Sequence, residues 1–239
     1  MIEIRRDDEI HRKEGGWFSA RWHFSFDDYR DPANTHFGNL RVFNDDRLVP
    51  GAIWPMHPHR DIEGLTYVVE GSFGHEDDVG GDRGPLPSGS VQRMTLGRGA
   101  FHSEQNASET DPMRFIQMWI MPDELGLEPG VEQQVFTAKD RTDTLLKAIS
   151  PEGPVGVHGN AAVYVSRLTP GSEVKHDLAE PMGAYLYVIS GGLAMGDERL
   201  ATGDAAKIAG EPSFALRAEA ETELIVVEAD LSWRPRAHR

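Results

Sequence analysis

Six short apolar runs, at 40–43, 65–69, 115–121, 163–168, 185–189 and 224–227, set the rhythm of this chain. They are rich in Val, Ile, Tyr, Phe and Trp, which suit a pleated and half-buried surface, and Gly, Pro, Asp and Asn fill the gaps between them. The pattern predicts an all-β fold. The 25 glycines and 15 prolines are scattered, as many tight connections between short strands require. One segment departs from the rhythm. Residues 124–150 are polar and hold the best helical stretch, near 140–148, so this segment reads as the connection between two halves.

A weak internal repeat supports that division. Thr66-Tyr67-Val68-Val69-Glu70-Gly71 is echoed by Tyr185-Leu186-Tyr187-Val188-Ile189-Ser190-Gly191, each an apolar strand running into a glycine turn. Gly89-Ser90-Val91 is likewise echoed by Gly203-Asp204-Ala205. Two similar β-barrels in tandem is the economical reading, and 239 residues suffice for them.

Composition removes several function classes. A formal charge of −15 gives no basic face for nucleic acid or an anionic membrane, so neither is expected as a direct partner. No stretch approaches the roughly 20 apolar residues of a membrane helix, and the first residues lack the apolar core of a signal peptide, which makes a cytoplasmic location the expectation. The chain has no cysteine, so a metal here has to sit on histidine and carboxylate.

Such ligands are present. In Met56-His57-Pro58-His59 the histidines stand two apart, which on an extended strand turns both to one face. Phe101-His102-Ser103-Glu104 repeats the spacing with a histidine and a carboxylate. Neighbouring strands inside a barrel would bring all four together around one ion. Phe115, Gln117 and Trp119 share a face and are expected to line an apolar pocket with one polar handle, with Trp54, Met56 and Phe101 as candidates to close it. Core packing explains each of these six equally well.

Gly51, His57, His59, Glu63 and Gly71, followed by Gly89, Gly97, His102 and Asn106, resemble the two signatures of the cupin superfamily. The fit is inexact: seven residues separate Glu63 from Gly71 where the general pattern has six, Thr95 stands in place of a proline, and two extra residues precede His102. These departures, with Phe24-Ser25-Phe26, the run from Leu40 to Asp46, His57-Pro58-His59-Arg60-Asp61-Ile62-Glu63, Val91-Gln92-Arg93-Met94-Thr95, Gly97 to Glu104 and Gln117 to Pro122, make the chain similar to the bacterial quercetinase-like branch of the pirin family. The match spans most of residues 17–136.

The resemblance implies a bicupin, two tandem double-stranded β-helix (jelly-roll) barrels. Residues 1–136 would form an N-terminal cupin domain with the metal site and 137–239 a C-terminal cupin domain without one. It implies one divalent ion, iron(II) foremost with Zn, Mn, Co, Ni or Cu as other occupants, on His57, His59, His102 and Glu104. That moves the carboxylate role from Glu63 to Glu104, with Glu63 nearby but not a ligand. The implied activity resembles that of quercetin 2,3-dioxygenase: a flavonol's deprotonated 3-hydroxyl binds the metal, and dioxygen opens the heterocycle with loss of carbon monoxide. Glu104 is the candidate acceptor of that proton. The alternative is a non-enzymatic, redox-dependent transcriptional co-regulator of the pirin type, and a metal-dependent isomerase or hydrolase is a third class. A monomer or weak dimer is expected.

The second half offers one histidine, His176, where a site needs two, so it is expected to be a surface or loop residue in a structural barrel. His75-Glu76-Asp77-Asp78 reads as a solvated hairpin end. His11, His23, His36, His158 and His238 have no partner at ligand spacing, although His36 is a candidate to approach the site from the N-terminal segment.

Overall fold

The computed structural model describes residues 1–80 and 84–234, so His238 lies outside the described residues. The strands are β1 (Ile2–Arg5), β2 (His11–Glu14), β3 (Phe18–Trp22), β4 (Leu40–Leu48), β5 (Ile53–His59), β6 (Glu63–Glu70), β7 (Ser72–Asp77), β8 (Leu86–Pro87), β9 (Ser90–Thr95), β10 (Ala100–Asn106) and β11 (Met113–Ile120). They continue with β12 (Gly130–Val135), β13 (Leu146–Ile149), β14 (Ala161–Leu168), β15 (Glu173–Asp177), β16 (Met182–Ser190), β17 (Gly192–Met195), β18 (Glu198–Ala201), β19 (Ala205–Ile208), β20 (Ser213–Ala218) and β21 (Thr222–Asp230). Among the described residues the only helical pieces are two single 3-10 turns, Asp7–Glu9 and Lys139–Arg141.

Two barrels follow one plan. The first pairs a large sheet, β12-β9-β6-β11-β4-β3-β2, with a small one, β5-β10-β7-β8; the second pairs β1-β19-β16-β21-β14-β13 with β15-β20-β17-β18. The sequence repeat marks equivalent points in them. Gly89 N–H donates to Val68 O and Gly203 N–H to Val188 O, both at 2.8 Å. Gly71 and Gly191 turn out of β6 and β16 with φ of 84° and 93°, and a Cβ at either would come within 2.6 Å of a backbone oxygen, so only glycine fits. The two halves also clasp each other: β1, from the start of the chain, edges the second large sheet beside β19, where β12 stands beside β9 in the first.

The helical expectation for 140–148 fails. After the turn at Lys139–Arg141 the chain becomes β13, which pairs with β14 and buries Ala148 and Ile149. A helix this short is marginal without packing, and the open sheet edge supplies both hydrogen bonds and burial. Nor is all of 124–150 a connection, because β12 completes the first large sheet and β13 the second.

The main core lies between the two large sheets, where Leu65, Tyr67, Ile116 and Met118 meet Val163, Tyr185, Tyr187 and Ile225. At its heart Asp45 accepts two bonds from Arg114, at 2.8 and 2.7 Å, and one from Tyr187 Oη at 2.6 Å. The two barrel interiors differ. One continuous apolar cluster, running from Ala162 to Val226, fills the second. In the first, apolar packing splits into one group around Phe73 and Phe115 and another around Met94 and Leu96. Polar side chains occupy the lumen between these groups.

Candidate metal centre

β5 is an edge strand, which is why Trp54-Pro55-Met56-His57-Pro58-His59 tolerates two prolines that donate nothing to a ladder. Its pairing with β10 sets His102 opposite His57 and Ala100 opposite His59, then slips so that Glu104 faces Trp54, leaving an extra residue on β5 around Pro55. Such a bulge re-aims neighbouring side chains. Pro55 O accepts a 2.7 Å bond from His57 Nδ1, which fixes the proton there and leaves the Nε2 lone pair free.

Three of the four expected ligands converge. One ring nitrogen from each of His57, His59 and His102 lies within 4.8 Å of the others. Glu104 stands outside that group, its Oε1 3.4 Å from His102 Nδ1, and it lines a small inner pocket of about 50 Å³ with His57 and His59. Burial holds the His59 imidazole down to about 4, helped by His57, and His102 down to about 2, helped by His57, His75 and His59, so both are neutral donors at physiological pH. Burial pushes the Glu104 carboxyl up to about 8. His102 Nε2 and Glu104 Oε2 are buried with no hydrogen-bond partner. Buried polar atoms in that state are costly unless something else satisfies them, and a divalent cation would. The donor set therefore fits a metal.

Asn44, Asp46, Phe115, Gln117, Trp54, Trp119 and Phe26 complete the inner pocket, which adjoins a cleft of about 920 Å³ walled by Phe26, Trp54, Trp119, Arg30 and Arg41 and floored by His57 and His59. Phe115, Gln117, Trp119 and Trp54 are thus where expected. Met56 and Phe101 are not: both alternate onto the outer face and are exposed. Glu63 shares a face with Leu65 and Tyr67, turned toward the core between the halves. It accepts from Thr95 Oγ1 at 3.3 Å and lies 3.2 Å from His158 Nδ1, so His158 does have a partner. His36 instead bonds Gly38 O and packs on Trp233. His176 is no loop residue; it sits half-buried on β15, 2.7 Å from Glu228.

The expected solvated hairpin at 75–78 is also corrected. His75 and Asp77 are buried, with His75 Nε2 3.3 Å from His102 Nδ1 and His75 Nδ1 3.3 Å from Asp77 Oδ2. Their signal was the alternation Phe73, His75, Asp77 on β7, inward at every second residue; Val42, Asn44, Asp46 and Leu48 alternate in the same way on β4. The Asp77–His75–His102 chain orients His102 from behind. Replacing His75 by Phe is expected to weaken nickel(II) or zinc(II) binding by about 10–100-fold in a competition titration; unchanged affinity would remove this role.

A pirin family model matches residues 4–120, and a model for the quercetinase C-terminal cupin domain matches residues 148–229. The quercetin 2,3-dioxygenase of Escherichia coli K12 is 33% identical over 229 residues, which cover 95% of this chain and 98% of that one. The chain belongs to the pirin family. A pirin-like protein of Caulobacter vibrioides is 34% identical over 233 residues, covering 96% of this pirin and all of the relative. The crystal structure of the E. coli bacterial pirin YhhW in complex with nickel(II) superposes with a TM-score of 0.88 at 32% identity, over 96% of this pirin and 99% of YhhW.

Proposed function

We propose that this pirin is a metal-dependent dioxygenase acting on flavonols or related aromatic enols, with iron(II) held by His57, His59, His102 and Glu104 in residues 1–136 and no metal in 137–239. The observation that carries the reading is the convergence of three imidazoles, with His102 Nε2 and the neighbouring Glu104 Oε2 buried and orphaned, below an aromatic-walled cleft. A divalent ion on such ligands acidifies a bound hydroxyl and keeps positions open for oxygen chemistry. Trp54, Trp119 and Phe26 give a flat aromatic substrate faces to pack against, and Gln117, held by Thr66 Oγ1 at 2.9 Å, offers its amide N–H groups. Glu104, which lines the inner pocket and would be ionised as a ligand of the cation, is the proposed acceptor of the substrate's hydroxyl proton. The apolar filling of the second barrel supports its structural role.

The test is anaerobic loading with iron(II), then oxygen uptake against a panel of flavonols and catechols. Uptake with flavonols is expected, and Glu104→Gln should lower it by about 10²–10⁴-fold while the far-ultraviolet spectrum and most of the bound metal are retained. No uptake with any of the panel refutes the dioxygenase reading, and unchanged turnover in Glu104→Gln refutes the base.

A further inference from the structure

The cleft above the histidines is lined by two cations that the proposed reaction does not use. Arg30 and Arg41 both line it, on a protein of net charge −15. Arg41 reaches the cleft through an irregularity in the sheet. Trp119 pairs with Val42 and Ile120 with Leu40, so Arg41 is the extra residue of a bulge on β4. A bulge turns its residue out of the ladder's alternation, here to the cleft wall.

The guanidinium is half-buried and donates to Ser25 O at 2.8 Å. Arg30 is braced on the same loop by the carbonyls of Asp27 and Tyr29. Neither has a carboxylate within ion-pair distance among the described residues. Asp27 and Asp31 also line the cleft, but Asp31 is turned into its own loop, accepting from Tyr29 Oη at 3.0 Å, Asn34 Nδ2 at 2.8 Å and Ala33 N at 3.0 Å. The Arg41 guanidinium is held below its ordinary value by burial and by Arg30, the signature of a cation lacking an anion to balance it. Three buried arginines elsewhere in this chain are matched by carboxylates, Arg114 by Asp45, Arg141 by Glu223 and Arg93 by Glu132, whereas buried Arg5 is satisfied by the carbonyls of His23 and Glu9. Arg41 has a single carbonyl partner, Ser25 O, and lines the same cavity as His57 and His59 of the proposed metal centre.

We propose that Arg41, with Arg30 beside it, is an anion handle, and that the preferred substrate is a planar aromatic with a metal-binding hydroxyl at one end and a carboxylate at the other. This rests on the metal-centred reading above and narrows its substrate class. A guanidinium donates two parallel N–H groups to a carboxylate, so the handle fixes which end of the ring enters the pocket as well as adding affinity. Plain flavonols, lacking the acid, would use only the aromatic walls.

The test compares two probes that differ only in that group, 3,4-dihydroxybenzoate and its methyl ester, binding to oxygen-free, nickel(II)-loaded protein by calorimetry. The wild type is expected to favour the acid by about tenfold or more at low salt. Arg41→Gln should bring the ratio near one at unchanged nickel content, and Arg41→Lys should keep part of it. Equal binding of acid and ester by the wild type, binding of neither, or a preference that survives in Arg41→Gln overturns the proposal. Oxygen uptake with flavonols by the iron(II) protein is read separately. A preference erased by Arg41→Gln without any uptake leaves the handle standing and the dioxygenase reading refuted, while uptake without preference does the reverse.

Discussion

Replacing His102 by Ala is expected to abolish the thermal stabilisation that a divalent metal gives this protein while leaving the metal-free protein about as stable as before. Metal at a hundred times its dissociation constant stabilises the folded state by about 2.7 kcal/mol, which for a chain of this size is a rise of about 5–10 °C in melting temperature. His102 is the most buried of the three converging imidazoles and is backed by His75. Loss of such a ligand should exceed the roughly 100-fold that removing an outer partner costs, enough to erase the shift at the same metal concentration. Metal-free protein should respond differently. There His102 Nε2 and Glu104 Oε2 are already buried without partners, so removing the imidazole also removes an unsatisfied polar atom, and this offsets part of the cavity it leaves. Melting curves with and without nickel(II), for the wild type and His102→Ala, decide the matter. A metal-induced shift that persists in the variant would mean that His102 is no ligand.

The sequence revealed the fold where both faces of a strand are buried. All six apolar runs lie on β4, β6, β11, β14, β16 and β21, the strands sandwiched between a barrel interior and the core that joins the halves, where near-continuous hydrophobic residues are demanded. It was weakest at sheet edges. The stretch 140–148 has helical composition, but an unpaired edge of the second large sheet recruits it as β13, a long-range effect that local pattern does not carry. The site divides along similar lines. His57, His59 and His102 were legible because two-residue spacing on a strand forces one face. The bulge that sets Glu104 opposite Trp54 and the one that swings Arg41 into the cleft come from pairing between distant strands, and no local signal marks them. His75 was legible in principle through alternation, but the adjacent acidic residues Glu76 and Asp78 made the segment look like solvated surface.

The largest effect on stability is expected far from the metal, at Asp45. Its carboxylate is fully enclosed between the halves, and burial alone would push its proton affinity up. The paired bonds from Arg114, and that from Tyr187, more than compensate and hold it below the ordinary carboxylate range. Arg114 also donates to Ile189 O at 3.1 Å, so the cluster ties β4 and β11 of the first barrel to β16 of the second. Asp45→Ala removes one partner and strands a buried guanidinium and a buried phenol, which should destabilise the protein by about 3–5 kcal/mol. The pH dependence follows from the sign of the shift. A carboxyl whose folded value is depressed stabilises the protein fully above about pH 4–5, and that stability is lost as pH falls toward the folded value. Denaturant titrations in a series from pH 7.5 down to about pH 3 should therefore show the gap between wild type and Asp45→Asn holding to about pH 4 and narrowing below it. Replacing Asp45 and Arg114 together by apolar residues of similar volume should recover much of the loss, because the cost comes from the stranded charge more than from the missing pair. Equal stability of Asp45→Ala and wild type at pH 7.5 would show that the Asp45 cluster does not hold the halves together.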